Sequence, residues 1–185
     1  MADTPLFPVT VVGSWPRSTE LVRALRKKES GEITLAEFNA VADGDVLAAI
    51  KAQEDAGIDI ISDGEQRRDN FYSFAVDKLS GMQLMKVSEL LNYSKDRARM
   101  EEVLRALDVP AFAIKSPIVV DKIGKRHGLA GDELAFMKEH TNLPVKVPLP
   151  GPYMLTRSSW FEGLSDKVYP TPEDLARDVV AILRE

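Results

Sequence analysis

The sequence has no cysteine and only two histidines among its 185 residues. Without cysteine this chain can form no disulfide, no thiolate nucleophile and no thiolate metal site. His127 and His140 lie apart, in or near charged helical segments. That setting fits surface or capping roles better than a multi-histidine metal site. No apolar run approaches the roughly 20 residues of a membrane span. The opening Met1-Ala2-Asp3-Thr4-Pro5 has neither a basic nor an apolar region, so no signal peptide is expected. Basic residues are in deficit, 24 Lys+Arg against 29 Asp+Glu, giving a net charge of −5. This argues against nucleic acid or an anionic membrane as partner, since both require a basic surface. The phosphate-cradling patterns G-x-G-x-x-G and G-x-x-x-x-G-K-[ST] are also missing. The expected compartment is the cytoplasm.

What remains is 44% hydrophobic and 29% charged, the balance of a globular protein rather than a disordered one. The length predicts one domain or a large piece of one, and no linker or repeat marks an internal boundary within 1–185. The elements alternate between strand and helix. Phe7 to Gly13 reads as a buried parallel strand, and a short helix follows from about Thr19 to Gly31. Thr34 and Glu37 have capping-box spacing and open a helix running to Ala56, with a break allowed at Gly44 and Gly57 placed for a left-handed cap. Ile58 to Ser62 is a second strand. Residues 88–107 read as one charged helix, and Ala113 to Asp121 as an edge or hairpin strand because it holds Pro117. A helix is expected over Gly131 to His140, a third strand over Pro144 to Leu149, and a last helix from Thr171-Pro172. Strand, helix, strand with parallel connections means α/β, and three strands ending in polar, Gly-containing loops fit the first part of a (β/α)8 barrel with an inserted hairpin.

Three loops carry candidate chemistry. At Val12-Gly13-Ser14, glycine admits a ligand to the backbone and serine adds a hydroxyl and an N–H, a turn able to hold a carboxylate. A plain strand-to-loop turn would look the same. Asp63-Gly64-Glu65, followed by Arg67, Arg68 and Asp69, sets a carboxylate where it can meet an ammonium, with arginines to fix it. A solvated charge cluster is the alternative. Gly151-Pro152-Tyr153 with Arg157 and Trp160-Phe161 reads as a rigid loop whose aromatics could stack on a flat ligand or simply pack on the sheet. Lys115 could reach an anion, or snorkel.

Taken in order, Val11-Val12-Gly13-Ser14-Trp15-Pro16-Arg17, Gln53-Glu54-Asp55-Ala56-Gly57-Ile58-Asp59, Ser62-Asp63-Gly64-Glu65-Gln66-Arg67-Arg68-Asp69, Ile114-Lys115-Ser116-Pro117-Ile118-Val119 and Pro144-Val145-Lys146 with Gly151-Pro152 resemble the catalytic barrel of cobalamin-independent methionine synthase. The resemblance implies a β/α barrel that methylates homocysteine to methionine, with methyltetrahydrofolate or a methyl-corrinoid protein as donor and zinc to activate the thiol. It places homocysteine on Val12, Gly13 and Ser14, with Glu65 for its amino group. Arg17, Arg68, Asp69, Lys115 and Trp160 would stand around that pocket or on the methyl-donor side. Two departures speak against folate: Phe112 stands where the folate enzymes carry arginine, and Trp160 falls later than their stacking tryptophan.

The family's zinc ligands, a His, two Cys and a Glu, and its catalytic His lie beyond the matched region. A complete barrel takes about 250 residues. The chain is therefore expected to be the N-terminal part of a barrel, truncated in nature, by proteolysis or by design, without a metal site or catalytic residue of its own and inactive alone. Its open sheet edge is expected to favour a homo-oligomer or a complementing second-half polypeptide. Two alternatives stay open: a non-catalytic amino-acid-binding or scaffold module, and a uroporphyrinogen-decarboxylase-like barrel using Arg17, Arg67 and Arg68.

Overall fold

The computed structural model describes residues 5–106 and 115–185, with side chains for all of these except 103–106. Phe112 and the Ala113–Ile114 start of the expected strand lie outside the described residues. In chain order the elements are α1 (Thr19–Ser30), α2 (Leu35–Asp55), α3 (Ala75–Lys78), β1 (Leu79–Lys86), α4 (Val87–Leu90), α5 (Arg97–Ala106), β2 (Lys115–Lys125), α6 (Gly131–His140), α7 (Pro152–Ser159), a 3-10 turn (Ser165–Lys167) and α8 (Pro172–Arg184). By internal packing they form two compact units, one of residues up to Asp69 with Ala130–Pro148, the other of Asn70–Leu129 with Leu149–Glu185.

The first unit holds three parallel segments. Thr10 bridges Ile60, and Ile61 bridges Val145. The Ile61 N–H donates to Pro144 O at 3.0 Å, and the Lys146 N–H donates back to Ile61 O at 2.9 Å. This is the sequential parallel order with which a β/α barrel begins. α1 starts at Ser18, whose hydroxyl accepts from the Leu21 N–H, and ends at Gly31 with φ 75°. Thr34 and Glu37 form the capping box of α2, which runs unbroken through Gly44. The buried stripe of α2 does two jobs. Phe38 and Ala42 pack with Leu21 and Ala24 of α1, while Val46 and Ile50 pack with Ile61 and with Met137 of α6. Burial of each such side chain stabilises by about 1.5 to 3 kcal/mol.

The expectation of a buried first strand is corrected here. Phe7 is 84% and Val12 97% exposed. Among the described residues this segment pairs on one side only, with the second segment, so its β-branched run lies at an edge.

The second unit is built on an antiparallel ribbon, β1 with β2, in register from Leu79↔Lys125 to Lys86↔Lys115. The ribbon is covered on both faces. Leu79, Met82, Val119 and Ile123 join Phe74, Leu155, Tyr169, Leu175 and Val179 in one core, and Met85 and Ile118 join Leu90 in another. Pro117 sits opposite Leu84 in a two-stranded sheet, where β2 is an edge strand, one of the two forms expected. Two other expectations are corrected. The helix expected over 88–107 is broken within its described residues: α4 ends after Leu90, and Asp96 opens α5 by accepting from the Arg99 N–H at 3.0 Å. The Gly151-Pro152-Tyr153 loop is instead the start of α7, with Pro152 in its first turn, where the missing N–H costs nothing.

Candidate functional site

The second parallel segment empties into a turn whose geometry is fixed from several sides. Gln53 of α2 holds its end: its Nε2 donates to Ser62 O at 2.8 Å, and the Ser62 N–H donates to its Oε1 at 3.0 Å. The Ser62 hydroxyl accepts from the Gly64 N–H at 3.2 Å, and Asp63 Oδ1 accepts from the Glu65 N–H at 3.0 Å. The chain then takes two left-handed residues, Gly64 at φ 67° and Glu65 at φ 54°. For glycine this is easy. For glutamate it costs of order 1 kcal/mol and survives only where the surroundings enforce it.

The first segment's loop closes on this turn. The Trp15 N–H donates to Gly64 O at 2.9 Å. Arg17 Nη2 donates to Glu65 O at 3.0 Å and to Arg68 O at 2.6 Å. Ser14 Oγ donates to Glu65 Oε2 at 2.7 Å. A Cβ on Gly13 would collide with Glu65 Oε1, so only glycine leaves room for the carboxylate. Glu65 is 3% exposed. The third segment joins in through Lys146 Nζ, which donates to Val11 O, and through Pro148 O, which accepts from Arg68 Nη1 at 2.7 Å.

Beneath lies a buried ion pair. Arg68 Nε and Nη2 donate to the two carboxylate oxygens of Glu133 on α6 at 2.7 and 2.6 Å. Burial opposes the Arg68 charge, but the hydrogen bonds and attraction to Glu133, with Asp63 and Glu65 adding, hold the guanidinium above its usual range. Asp63 shifts the other way for a carboxyl: burial first, then repulsion by Glu133, push it up, against the Glu65 N–H, Arg68 and Arg67. Arg67 pairs with Asp43 of α2 and stacks 4.3 Å over the Phe136 ring.

The structure thus brings Gly13, Ser14, Arg17, Glu65 and Arg68 together. The Val12 and Asp69 side chains are exposed nearby in sequence. Lys115 and Trp160 belong to the second unit. Lys115 opens β2, and its carbonyl accepts from Asn70 Nδ2 at 3.4 Å. Trp160 donates its indole N–H to Tyr169 O at 3.0 Å and lines a cavity of about 550 Å³ with Tyr153, Arg157 and Phe161. Three participants escaped the sequence reading of the site. Gln53 and Lys146 stand inside the motifs that carry the resemblance, but no role was attached to either. Glu133 gave no signal.

Among the described residues no group of three His, Cys, Asp or Glu is placed to hold a metal ion. With no cysteine in the sequence, the residues present do not fit a zinc site. Among the same residues no helix is long and apolar enough to cross a membrane.

Parallel segments joined through helices, with polar side chains gathered where the segments end, match part of a β/α barrel. The chain belongs to the cobalamin-independent synthase catalytic-domain family, whose profile matches residues 7–185. It is 28% identical over 184 residues to a methionine synthase of Sulfurisphaera tokodaii, covering 99% of this chain and 48% of that protein. It is 28% identical over 158 residues to a 5-methyltetrahydropteroyltriglutamate–homocysteine methyltransferase of Thermotoga maritima, covering 85% of this chain and 19% of the relative. A B12-independent methionine synthase from Shewanella sp. W3-18-1, solved in complex with selenomethionine, shares the fold with a TM-score of 0.65 at 20% identity, over 97% of this chain and 46% of that one. The chain spans about half the length of the methionine synthase relatives it matches. A family described as cobalamin-independent gives no support to a corrinoid protein as donor or partner, and its membership replaces the uroporphyrinogen-decarboxylase-like alternative.

Proposed function

We propose that this chain supplies the amino-acid-binding part of a homocysteine S-methyltransferase site. The observation that carries the reading is the Gly13–Ser14 corner closed on the buried Glu65 carboxylate, with Ser14 Oγ at 2.7 Å. In this reading Glu65, held by the Ser14 hydroxyl, receives the ammonium of homocysteine, and the Gly13–Ser14 backbone N–H groups donate to its carboxylate. The amino acid is then fixed by both charged ends, leaving its sulfur for the reaction. A methyl group passes to that sulfur: the S–C bond forms, the donor's bond to the methyl breaks, and the demethylated donor departs having taken up the thiol proton. The donor in this reading is a methyltetrahydropteroyltriglutamate, the compound in the name of the Thermotoga maritima relative and not in that of the methionine synthase relatives. Zinc activation of the thiol, which the family resemblance implies, would need ligands that the described residues do not supply. The residues described here are assigned no part in that step. The cytoplasm is the compartment that goes with the reading.

Calorimetric titration with methionine and with homocysteine tests it. Glu65→Ala is expected to weaken methionine binding about 10- to 100-fold, the scale of a hydrogen bond to a charged group of about 1.5 to 3 kcal/mol. Equal binding by the two proteins removes Glu65 from the site. Binding without turnover in a full-length protein would favour the non-catalytic alternative.

A further inference from the structure

Glu65 is the only non-glycine residue with positive φ among the described residues, at 54°. Its carboxylate is aimed by a backbone conformation that glutamate avoids, so something must impose that conformation. Three groups hold the Glu65 backbone: the Arg68 N–H, which donates to its carbonyl at 3.1 Å, and the Arg17 and Asp63 side chains. Arg17 Nη2 donates to its carbonyl at 3.0 Å, and Asp63 Oδ1 accepts from its N–H at 3.0 Å. Asp63 is fully buried, and its other oxygen, Oδ2, is buried with no hydrogen-bond partner. An ionised carboxylate with an unpaired buried oxygen is far costlier than a neutral acid in the same place. The charged groups acting on it are Glu133 of α6, which repels it, and Arg67 and Arg68 of its own loop, both already engaged with other carboxylates.

We propose that Asp63 is a positioning residue for Glu65: Oδ1 holds the Glu65 N–H and keeps the residue left-handed, while Oδ2 carries a proton. This rests on the reading of Glu65 as the group that receives the substrate ammonium. Asp63 touches no substrate in this scheme. It sets where the neighbouring carboxylate points, and it does so as an acceptor rather than as a charge.

The test compares wild type, Asp63→Asn and Asp63→Ala by methionine titration between pH 6 and 8, with backbone NMR shifts of Glu65 measured on the same samples. Asn keeps the acceptor and replaces O–H by N–H, so Asp63→Asn is expected to bind methionine within about threefold of wild type at every pH and to keep the left-handed Glu65 shifts. Asp63→Ala is expected to lose at least tenfold in affinity and the left-handed shifts together. The proposal is overturned if Asn binds as poorly as Ala, or if Glu65 stays left-handed in Asp63→Ala. If Asp63→Ala does not fold, the wild-type carboxyl carbon shift of Asp63 decides: a protonated shift at neutral pH supports the proposal, and an ionised one overturns it. Wild type that binds no methionine, yet shows the expected Glu65 shifts in all three proteins, fails the functional reading and leaves the positioning role standing.

Discussion

At the mouth of the parallel segments the buried side chains are polar: Gln53, Ser62, Asp63, Glu65, Gln66 and Arg68. Around the β1–β2 ribbon they are mostly apolar, Leu79, Met82, Val119, Leu155, Leu175 and Val179, with small hydroxyls such as Ser165, which donates to Val119 O at 2.6 Å, between them. The tyrosine in the ribbon's core both packs and hydrogen-bonds, its hydroxyl accepting from the Ile123 N–H at 3.1 Å. Tyr169 is 1% exposed and ties its hydroxyl to Asp178 at 2.6 Å, and burial with that bond pushes it up to about 12. The difference separates two ways of spending buried volume. An apolar core spreads its stabilisation over many weak contacts, each replaceable at modest cost. A buried polar network concentrates it, because every member has few partners and losing one leaves another unsatisfied. The first arrangement makes a scaffold. The second fixes the direction of a few side chains, which is what a site requires.

The sharpest way to break this comparison is Arg68→Ala. It leaves the Glu133 carboxylate buried without its partner and is expected to cost about 3 to 5 kcal/mol in urea unfolding. The double change Arg68→Met with Glu133→Leu is expected to restore most of that, since the penalty lies in the orphaned charge. If Arg68→Ala costs under about 1 kcal/mol, the polar network does not hold the first unit. In the second unit Leu175→Ala, at a fully buried position, is expected to cost about 2 to 4 kcal/mol through lost transfer energy and a cavity. Methionine affinity is the measurement that separates the two units: Arg68→Ala should abolish it, while Leu175→Ala should leave it within about threefold at temperatures where the variant is folded.

The smallest effect is one of pH. The folded-state carboxyl of Asp63 lies above its ordinary value of 3.8. Between that value and the raised one the folded protein holds a proton that the unfolded chain releases. The stability tied to this proton is therefore full below about pH 3.8 and is lost as pH rises through the raised value. Measured against Asp63→Asn, wild-type stability should fall as pH rises from 4 toward neutrality, at no more than about 1.4 kcal/mol per pH unit. A flat difference would mean that Asp63 titrates as an ordinary carboxyl.

Local chemistry was readable wherever a residue acts on its own neighbours. Thr34 and Glu37 are three residues apart and cap α2 as their spacing demands. Thr171, Pro172 and Asp174 open α8 in the same way. The three parallel segments announced themselves as short β-branched or apolar runs ending in polar loops. β1 did not. Its buried residues Leu79, Met82 and Met85 fall three apart instead of two, because a bulge at the left-handed Gly81 resets the alternation and both faces of the ribbon are covered. Of the site, Gly13, Ser14, Arg17, Glu65 and Arg68 could be nominated from their loops. What they would touch could not.

The sequence by itself determined the ends of α1 and α2, the start of α8, the three parallel segments and the supply of polar groups at the loops, because capping, turn chemistry and periodicity act over a few residues. Only the tertiary structure decided the partners. Ser14 meets Glu65 across 51 residues, and Arg68 meets Glu133 across 65. In an open chain each of these groups is satisfied by water. Folding takes that water away from the strand mouths, and from then on the pairing that each buried charge adopts is set by which side chains the closed backbone leaves within reach.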